Sequence, residues 1–539
     1  MNQRYKNKDY ICLTVLIQSI MEAKNITCRI SIIIVTILLP ILICGQTNTF
    51  KIITSMGTNY DFGHSIAIQP DEKVIVAGDS YGIPCMIRFD NEGALDPSFG
   101  NEGRVFTSWD GGSNPVVNDI TVLSDGRIIL GSSYYNGNNR DFILACFNPD
   151  GSIDESFGNN GTTVTPIGNF EDICFAIAMQ PDGKLLAAGG SNISLGTFDY
   201  DFALVRYNPD GTLDNSFGNS GVVITEIGLY NSIAYSIAVQ QDGRILLAGE
   251  TQDSLYAFND FAVVRYNEDG SLDSTFGTDG KLRMSLSETY DYAKSMVLQE
   301  DGKIVITGYT QNGLHNYDFA LLRLNTDGSF DDTFGNNGIV ITDIGNDFAN
   351  SIAIQQDGKI VLAGSTTTGT LYDFATLRYN QDGSLDETFG ENGVIITSFG
   401  AGDDEGSSVV IRNNGEILIS GMVNTQQGSF DSDFALLRLF SDLTIGVNYK
   451  SIDLSVISVY PNPVAKGFTV NYFLPEAGRI LISLSDLQGK KIQILKDEKL
   501  QPAGSHYDSF LISNTIAPGL YLLEIMTKDY NKSVRIIKQ

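Results

Sequence analysis

A repeat with a period close to sixty residues is the feature that most constrains this chain. Six Phe-Gly pairs mark the repeat, and their phenylalanines are 58, 60, 59, 58 and 55 residues apart: Phe99, Phe157, Phe217, Phe276, Phe334 and Phe389. The best copy, DFALVRYNPDGTLDNSFGNSGVVITEIG, spans residues 201–228, and a second module, YSIAVQQDGRILLAGE at residues 235–250, follows it. A fixed period of this length predicts structural units that each pack on their neighbours.

Each period contains four short apolar segments separated by turn residues. In one well-preserved period they are Ser236–Gln240, Arg244–Gly249, Phe261–Tyr266 and Lys281–Ser285. The first two are joined by Gln-Asp-Gly, which predicts a tight hairpin because Gly accepts a positive φ and Asp hydrogen-bonds back to the turn. Four strands per period predict an all-β fold, a β-propeller in which each period supplies one blade.

The number of blades follows from the two ends of the repeat region. Hairpins and third strands each occur seven times, but the seventh repeat stops at Leu439-Phe440 without a fourth strand. The missing segment is KIITSMG at Lys51–Gly57, which closely matches VVITEIG at residues 222–228. We therefore expect residues 46–440 to form a seven-bladed propeller closed by an N-terminal strand, since closure leaves no free sheet edge.

Both ends of the chain differ from the repeats. Residues 1–45 place basic residues before the apolar run 31–44, which as a helix is about 21 Å long and too short for a bilayer core of about 30 Å. This pattern predicts a secretory signal peptide and no membrane span after its removal. Met21 is an alternative start, and lipid attachment at Cys44 is an alternative fate. After a linker at residues 441–458, short apolar runs predict a small β-sandwich at residues 459–539.

The charge of the chain is concentrated in the repeats. The net charge is −29, residues 1–45 contribute +3 and residues 451–539 contribute +2, so the region between them carries −34. Such a surface repels phosphate backbones and argues against a nucleic-acid partner. Three cysteines outside the leader lie at non-equivalent repeat positions and the chain has three histidines, so no zinc site or catalytic triad is indicated. We expect a monomer.

The repeat resembles a known family. The pattern N-x-D-G-[ST]-[LI]-D-x-[ST]-F-G, seen at residues 208–218 and 380–390, is similar to the delta-60 repeat. The resemblance covers about residues 50–440, although Pro84 and Cys85 depart from it in the first repeat. It implies a bacterial propeller of unknown biochemical function.

The C-terminal region resembles a type A sorting domain of the type IX secretion system. The resemblance rests on a basic final strand and on two short motifs formed by Tyr460, Pro461, Asn462, Pro463, Pro518, Gly519 and Tyr521. It implies an export signal read by the type IX secretion machinery at the outer membrane of a Gram-negative bacterium. The mature protein is then expected to be secreted or attached to the outer surface.

Two sets of acidic residues recur at fixed places in the repeats. One set directly precedes the third strand, which itself contains a recurring arginine, as in Asp201 and Arg206. We expect an Asp–Arg interaction, between strands or between blades, that satisfies both buried charges. The other set, Asn208-x-Asp210-Gly211-x-x-Asp214, lacks the ligands of a calcium loop and predicts an Asx-stabilised turn.

A third set of carboxylates precedes the first strand of five blades: Asp61, Asp172, Asp291, Asp347 and Asp404. Blade four has Ser232 there, and blade two has Pro115. Because the first strand of a blade is innermost, these carboxylates are expected to crowd the mouth of the central channel, where like charges repel unless a cation intervenes. This predicts a cation site, with Ca²⁺ as its candidate occupant and no other cofactor. The alternative is that the carboxylates cap turns that face solvent.

Three functions remain open at the level of sequence. The connections from second to third strands, such as Ser132–Arg140, are rich in Asn, Ser and Tyr and favour recognition of a glycan or a protein. The first hypothesis is therefore a non-enzymatic binding or adhesion propeller for a glycan, protein or cation. The second is an extracellular hydrolase or lyase acting on polysaccharides, disfavoured because the acids recur and no single blade has a distinctive acid and base. The third is a structural surface spacer.

Overall fold

The computed structural model describes residues 48–57, 60–108, 116–192, 199–254, 258–313, 316–367, 369–424 and 431–440 of the repeat region. Beyond it, the model describes residues 458–460, 464, 466–474, 478–485, 490–501, 504–513, 516–517, 519–527 and 531–538. The predicted signal peptide and nearly all of the predicted linker lie outside the described residues. Two compact units divide between Leu439 and Phe440.

Every regular element of the described residues is a β-strand, which confirms the all-β prediction. Within the same residues, nothing helical has the length and apolar character needed to cross a membrane. The strands of the first unit are β1 (Asn48–Thr54), β2 (Asp61–Ile68), β3 (Val74–Ser80), β4 (Ile83–Phe89), β5 (Arg104–Phe106), β6 (Val117–Val122), β7 (Ile128–Tyr135), β8 (Arg140–Phe147), β9 (Thr162–Thr165), β10 (Asp172–Met179), β11 (Leu185–Asn192), β12 (Tyr200–Tyr207), β13 (Val222–Thr225), β14 (Ser232–Val239), β15 (Ile245–Thr251), β16 (Asp260–Tyr266), β17 (Lys281–Met284), β18 (Asp291–Leu298), β19 (Ile304–Gln311), β20 (Tyr317–Leu324), β21 (Ile339–Thr342), β22 (Asp347–Ile354), β23 (Ile360–Thr367), β24 (Tyr372–Tyr379), β25 (Val394–Thr397), β26 (Asp404–Ile411), β27 (Glu416–Val423) and β28 (Asp433–Phe440).

These strands form the repeated four-stranded sheets of a β-propeller. Blades one to six are β2–β5, β6–β9, β10–β13, β14–β17, β18–β21 and β22–β25, each in sequence order. Blade seven has the order β1-β28-β27-β26, so its outermost strand comes from the start of the described chain. The first strand of each blade contacts that of the next, and β26 contacts β2. The first strands therefore surround a central channel.

Turn residues fix the hairpin between the first two strands of each blade. Gly243, in the predicted Gln-Asp-Gly turn, has a φ of +84°. In blade one, Glu72 takes the equivalent place with a φ of +67°, a conformation that costs a side-chain-bearing residue free energy. The backbone of the turn is thus kept even where Gly is replaced.

Apolar side chains fill the space between neighbouring blades. Between blades three and four, Leu186 and Leu204 pack with Ile245 and Leu247, and all four are fully buried. This explains why the middle strands are continuously apolar rather than alternating, because both faces of each sheet are covered.

The recurring arginine is held by a different aspartate from the one predicted. In the register of blade three, Arg206 and Asp201 lie five residues apart on β12, about 16 Å along the strand. Arg206 Nε instead donates to Asp214 Oδ2 at 2.8 Å, in the turn that follows the strand, and its guanidinium lies 4.2 Å from the ring of Phe217. The same contacts recur with Arg88, Arg265, Arg323 and Arg378.

The predicted Asx turn holds, since Asp210 Oδ1 accepts the Thr212 N–H at 3.0 Å. Asp214, at the end of the same motif, is occupied by Arg206 and by Lys184 Nζ at 3.0 Å. These carboxylates therefore stabilise the turn after the third strand and are not available as calcium ligands without losing these contacts.

The second unit is a small β-sandwich. Its strands are β29 (Ser458–Tyr460), β30 (Gly467–Leu474), β31 (Gly478–Ser485), β32 (Lys491–Gln501), β33 (Gly504–Leu511), β34 (Gly519–Thr527) and β35 (Asn531–Lys538). They form one sheet of order β29-β30-β33 and another of order β32-β31-β34-β35. Val470 and Tyr472 of the first sheet share one buried cluster with Ile482 and Leu523 of the second.

Candidate functional site

A β-bulge in the first strand of each blade determines which side chains face the channel. In β14 the bulge lies between Ala234 and Ser236, opposite Gly249 of β15. A Cβ on Gly249 would lie 1.9 Å from the carbonyl oxygen of Ile233, so only Gly allows the two backbones to approach this closely. Glycines at the equivalent place in five other blades are Gly78, Gly189, Gly308, Gly364 and Gly421. The extra residue of each bulge is thereby turned toward the channel.

The seven bulge residues form one tier of the channel wall, here called the bulge ring. Its members, in blade order, are His64, Asn118, Phe175, Tyr235, Lys294, Asn350 and Ser407. Together with the residues that follow them in the strands, they line a cavity of about 230 Å³. Seven equivalent backbone positions thus carry six residue types, because only Asn occurs twice.

The bulge ring has an aromatic side and a polar side. On blades three to five, the rings of Phe175 and Tyr235 meet edge to face at 4.9 Å, and Lys294 Nζ lies 3.9 Å from the centre of the Tyr235 ring. On the opposite arc, Asn350 Nδ2 donates to the carbonyl of Gly406 at 2.8 Å. Aromatic and polar side chains therefore lie on different arcs of the wall, and most of the surface that lines the cavity is polar.

Below the ring, a second tier joins neighbouring blades. Ser236 and Ser351 accept backbone N–H groups of the next blade at 3.0 and 3.1 Å. Asp119 occupies the same position in blade two, where it accepts Ser65 Oγ and the Ile177 N–H, both at 2.9 Å. Burial raises the pKa of Asp119 to about 6.

Lys294 is the one lysine among the seven bulge residues, and the carboxylate near it is Glu250, which lies at the position that Asp79 occupies in blade one. Glu250 is 5% exposed and accepts the Tyr235 hydroxyl on Oε1 at 3.2 Å, while its Oε2 has no hydrogen-bond partner among the described residues. Burial raises the pKa of Glu250 and lowers that of Lys294, and the Glu250 charge partly opposes the second shift. Within the described part of the chain, no carboxylate oxygen lies within 4.0 Å of Lys294 Nζ.

Aromatic side chains continue upward from Lys294 at the channel mouth, the end where the first strands begin. Tyr292 and Tyr309 lie with ring centres 4.9 Å apart, and Tyr309 is 5.0 Å from Phe348 of blade six. The cluster reaches the loops through Tyr290 and through the exposed Phe258. Together they form an aromatic wall on blades four to six.

The opposite side of the mouth carries a histidine–acid pair. His64 Nε2 lies 2.9 Å from Asp79 Oδ1, and the His64 ring stacks on Phe62 at 5.9 Å between ring centres. Glu405 of blade seven belongs to the same region: desolvation raises its pKa, and the charge of Asp403 adds to that shift.

The five aspartates predicted to crowd the mouth are placed differently. Each begins a first strand, is fully buried, and accepts backbone N–H groups from the preceding loop: Met56 to Asp61 at 2.7 Å, Ile167 to Asp172 at 2.8 Å, Leu286 to Asp291 at 2.7 Å, Ile344 to Asp347 at 2.9 Å and Phe399 to Asp404 at 2.6 Å. None of them is among the residues that line the channel cavity. They hold the loops of their own blades, and they do not face solvent as the alternative expected.

Asp347 has two acidic neighbours, Asp343 in the loop before it and Asp318 on β20. One carboxylate oxygen each from Asp318, Asp343 and Asp347 lies within 4.8 Å of the others, and Asp343 is exposed. A cation site that includes the predicted aspartates stays a prediction, which a rise in melting temperature on adding Ca²⁺ would support.

The predicted sorting residues fall partly within the described chain. Tyr460 ends β29, and Gly519 begins β34. The Tyr521 hydroxyl donates to the carbonyl of Ala517 at 2.9 Å. The remaining members, Pro461, Asn462, Pro463 and Pro518, lie outside the described residues.

Comparisons with known families agree with this architecture, which defines the chain as a repeat β-propeller followed by a sorting domain. Six segments match the family described as a β-propeller domain of unknown function, DUF5122: residues 69–99, 123–157, 180–217, 240–276, 299–334 and 355–389. Residues 458–539 match the secretion system C-terminal sorting domain. The chain therefore carries DUF5122 propeller repeats and a type IX sorting domain, which confirms the predicted propeller repeats and the predicted sorting domain and indicates secretion or an outer-surface location.

Solved structures with a similar chain path share little sequence with this protein. Virginiamycin B lyase from Staphylococcus aureus is 12% identical with a TM-score of 0.44, covering 73% of this chain and all of its own. The surface component PorZ of the type IX secretion system from Porphyromonas gingivalis is 12% identical with a TM-score of 0.27, covering 88% of this chain and 81% of its own. Aldose sugar dehydrogenase from Streptomyces coelicolor is 12% identical with a TM-score of 0.36, covering 73% and 99%. No curated protein sequence matches the chain.

The reasoning from sequence missed the bulge ring. It weighed residues that recur in every blade and concluded that no blade has a distinctive acid, base and nucleophile, whereas Lys294 and His64 each occur at the bulge position of one blade. A comparison of the repeats could have found this position. The residue three places after the aspartate that begins the first strand is His64, Lys294 or Asn350 in different blades, and its neighbours in the sequence are small in each case. A position that varies inside a constant frame is where a repeat protein can place specificity.

Proposed function

We propose that this protein is a secreted or surface-attached binding propeller whose ligand is a glycan held at the channel mouth. The observation that carries the proposal is the amphipathic bulge ring, with Phe175 and Tyr235 on one side and Asn350, Ser407 and Asn118 on the other. Sugars present both an apolar C–H face and hydroxyl groups, so they are complementary to aromatic planes facing polar donors and acceptors.

The size of the cavity favours one sugar unit. Its volume of about 230 Å³ is below the 300–1,000 Å³ typical of drug-sized ligand pockets. The aromatic wall above it, including Tyr292 and Tyr309, offers further stacking surface outside the ring. The ligand is therefore a glycan whose terminal unit enters the ring while the next units lie along the wall.

The C-terminal domain and the charge of the propeller determine the other proposed partners. The C-terminal domain engages the type IX secretion machinery of a Gram-negative bacterium, and the propeller acts outside the cell as a monomer. Strong negative charge keeps nucleic acid away. Protein and cation ligands at the loop face are the competing assignments.

A glycan array probed with the full chain tests the proposal. Tyr309→Ala removes part of the aromatic wall and is expected to weaken binding of any array hit about tenfold, since stacking contacts are worth about 1–2 kcal/mol. The matched control is Phe106→Ala, which removes an exposed aromatic ring from the outermost strand of blade one. Absence of any binding, or equal losses in both variants, would contradict glycan recognition at the mouth and favour the spacer assignment.

A polysaccharide-acting hydrolase or lyase is the second candidate, and the His64–Asp79 pair is what favours it. A histidine 2.9 Å from a carboxylate is held in one orientation, which is the arrangement of a general base. Assays for new reducing ends and for unsaturated products on a polysaccharide panel check this candidate. Turnover that persists in His64→Gln would exclude His64 as its base.

A further inference from the structure

Lys294 is a largely buried cation that has no described carboxylate oxygen within 4.0 Å of its Nζ, although the charge of Glu250 acts on it from a greater distance. Its Nζ lies 3.9, 5.5 and 5.7 Å from the ring centres of Tyr235, Tyr292 and Tyr309. Cation–π contacts contribute less free energy than the withdrawal of an ammonium group from water costs. The three rings therefore compensate only part of the desolvation of Lys294.

The neighbouring acids do not complete the compensation. Glu250 is the nearby carboxylate that acts on Lys294, but it lies beyond 4.0 Å, and one of its oxygens is held by Tyr235. Across the cavity, Asp119 is occupied by three donors, and Asp79 is held by His64 and the Gly82 N–H. Among the described residues that line the cavity, Lys294 is the one Lys or Arg side chain that an entering anion would meet.

The rest of the ring suits the same occupant. The tyrosine faces beside Lys294 can stack on a sugar ring, and Asn350 and Ser407 face it from the polar arc. Burial also lowers the pKa of Lys294, and an anion that binds there would oppose that shift. A carboxylate attached to a pyranose ring combines the charge and the flat apolar face that this wall requires.

We infer that the bulge ring selects a terminal sugar unit bearing a carboxylate, a hexuronic acid, with Lys294 as the contact for the acid group. The inference rests on the proposed glycan binding and adds the chemical class of the unit that enters the ring. The net charge of −34 on the propeller region opposes this only weakly at physiological salt, because exposed charges are screened beyond about 8 Å.

The test compares sugars that differ only at C6. Calorimetric titration of the full chain in about 0.15 M salt pairs the methyl glycosides of glucuronate, galacturonate and mannuronate with those of glucose, galactose and mannose. At least one uronate is expected to bind about tenfold more tightly than its neutral partner, as a partly buried charge pair implies. Lys294→Met should remove that preference, so that acidic and neutral partners bind to the variant within about twofold of each other. The control is Lys281→Met, on the outermost strand of blade four.

The possible outcomes distinguish failure of the inference from failure of the proposed function. Equal affinities for acidic and neutral sugars in the unaltered protein would overturn the inference and leave glycan binding intact, and this comparison needs no variant. A uronate preference that survives in a folded Lys294→Met protein would also overturn it. Absence of binding by every sugar would overturn both the inference and the proposed function.

Discussion

Strand β1 offers a sharp test of how the propeller is closed, because two adjacent isoleucines face opposite sides of it. Ile52 packs against the apolar cluster that joins blades seven and one, which includes Val76, Phe434 and Leu436. Ile53 points the other way and is 40% exposed. Alternation along a strand places neighbouring side chains on opposite faces, so the same substitution at the two positions probes burial alone.

Ile52→Asp is expected to reduce the free energy of unfolding of the propeller by about 2–3 kcal/mol, since it removes a largely buried aliphatic group and puts a charge against an apolar cluster. Ile53→Asp, the matched control, should change it by less than about 0.5 kcal/mol. Urea unfolding followed by far-ultraviolet circular dichroism measures both variants. Equal losses would refute the packing of β1 against blade one, and an unchanged Ile52→Asp protein would refute closure by this strand.

Two further predictions concern buried charge. Asp386→Ala should reduce the free energy of unfolding by about 3–5 kcal/mol, because it removes the carboxylate that pairs with the fully buried Arg378. Lys359→Ala removes a partly exposed partner of Asp386 and should reduce the free energy of unfolding by less than about 1 kcal/mol. Urea unfolding midpoints compare the two variants. Burial raises the pKa of Asp347 and of Asp404 to about 6, above the ordinary 3.8, so the folded state binds more protons between these values. Their contribution to stability is therefore present below about pH 4 and is lost, by about 1–3 kcal/mol each, as pH rises to about 6. A pH series of unfolding should show this decline, and Asp404→Asn should reduce its slope.

The fold could be predicted because each repeat contains the same local signals. Asp242-Gly243 specifies a tight turn, and the apolar strands beside it specify a sheet covered on both faces. The unequal ends of the repeat region carried topological information as well, since the match between Lys51–Gly57 and residues 222–228 predicted the strand order of blade seven.

Contacts between side chains could not be predicted in the same way. The pattern identified Arg206 and a recurring aspartate as partners, but spacing along a strand does not show which end of it a guanidinium reaches. Similarly, the sequence predicted Asp347 at the start of a first strand. The structure is needed to show that its carboxylate accepts the Ile344 N–H of the preceding loop. Such partners come from loop geometry that has no periodic signature.

Repetition within one chain correctly identified the residues that the blade structure requires, but it drew attention away from the residues of the candidate site. Residues required by the backbone recur, as Gly249 does opposite the bulge, and their recurrence identifies them as structural. The residue in the bulge is free of that requirement because its side chain faces the channel, so Tyr235 and Lys294 can differ on nearly identical backbones. An average over the repeats removes this difference. The proposed recognition of one ligand depends on this difference, because seven equal side chains would present the same chemistry in every direction, whereas the proposed sugar acid has an apolar face on one side and a charge at a defined place.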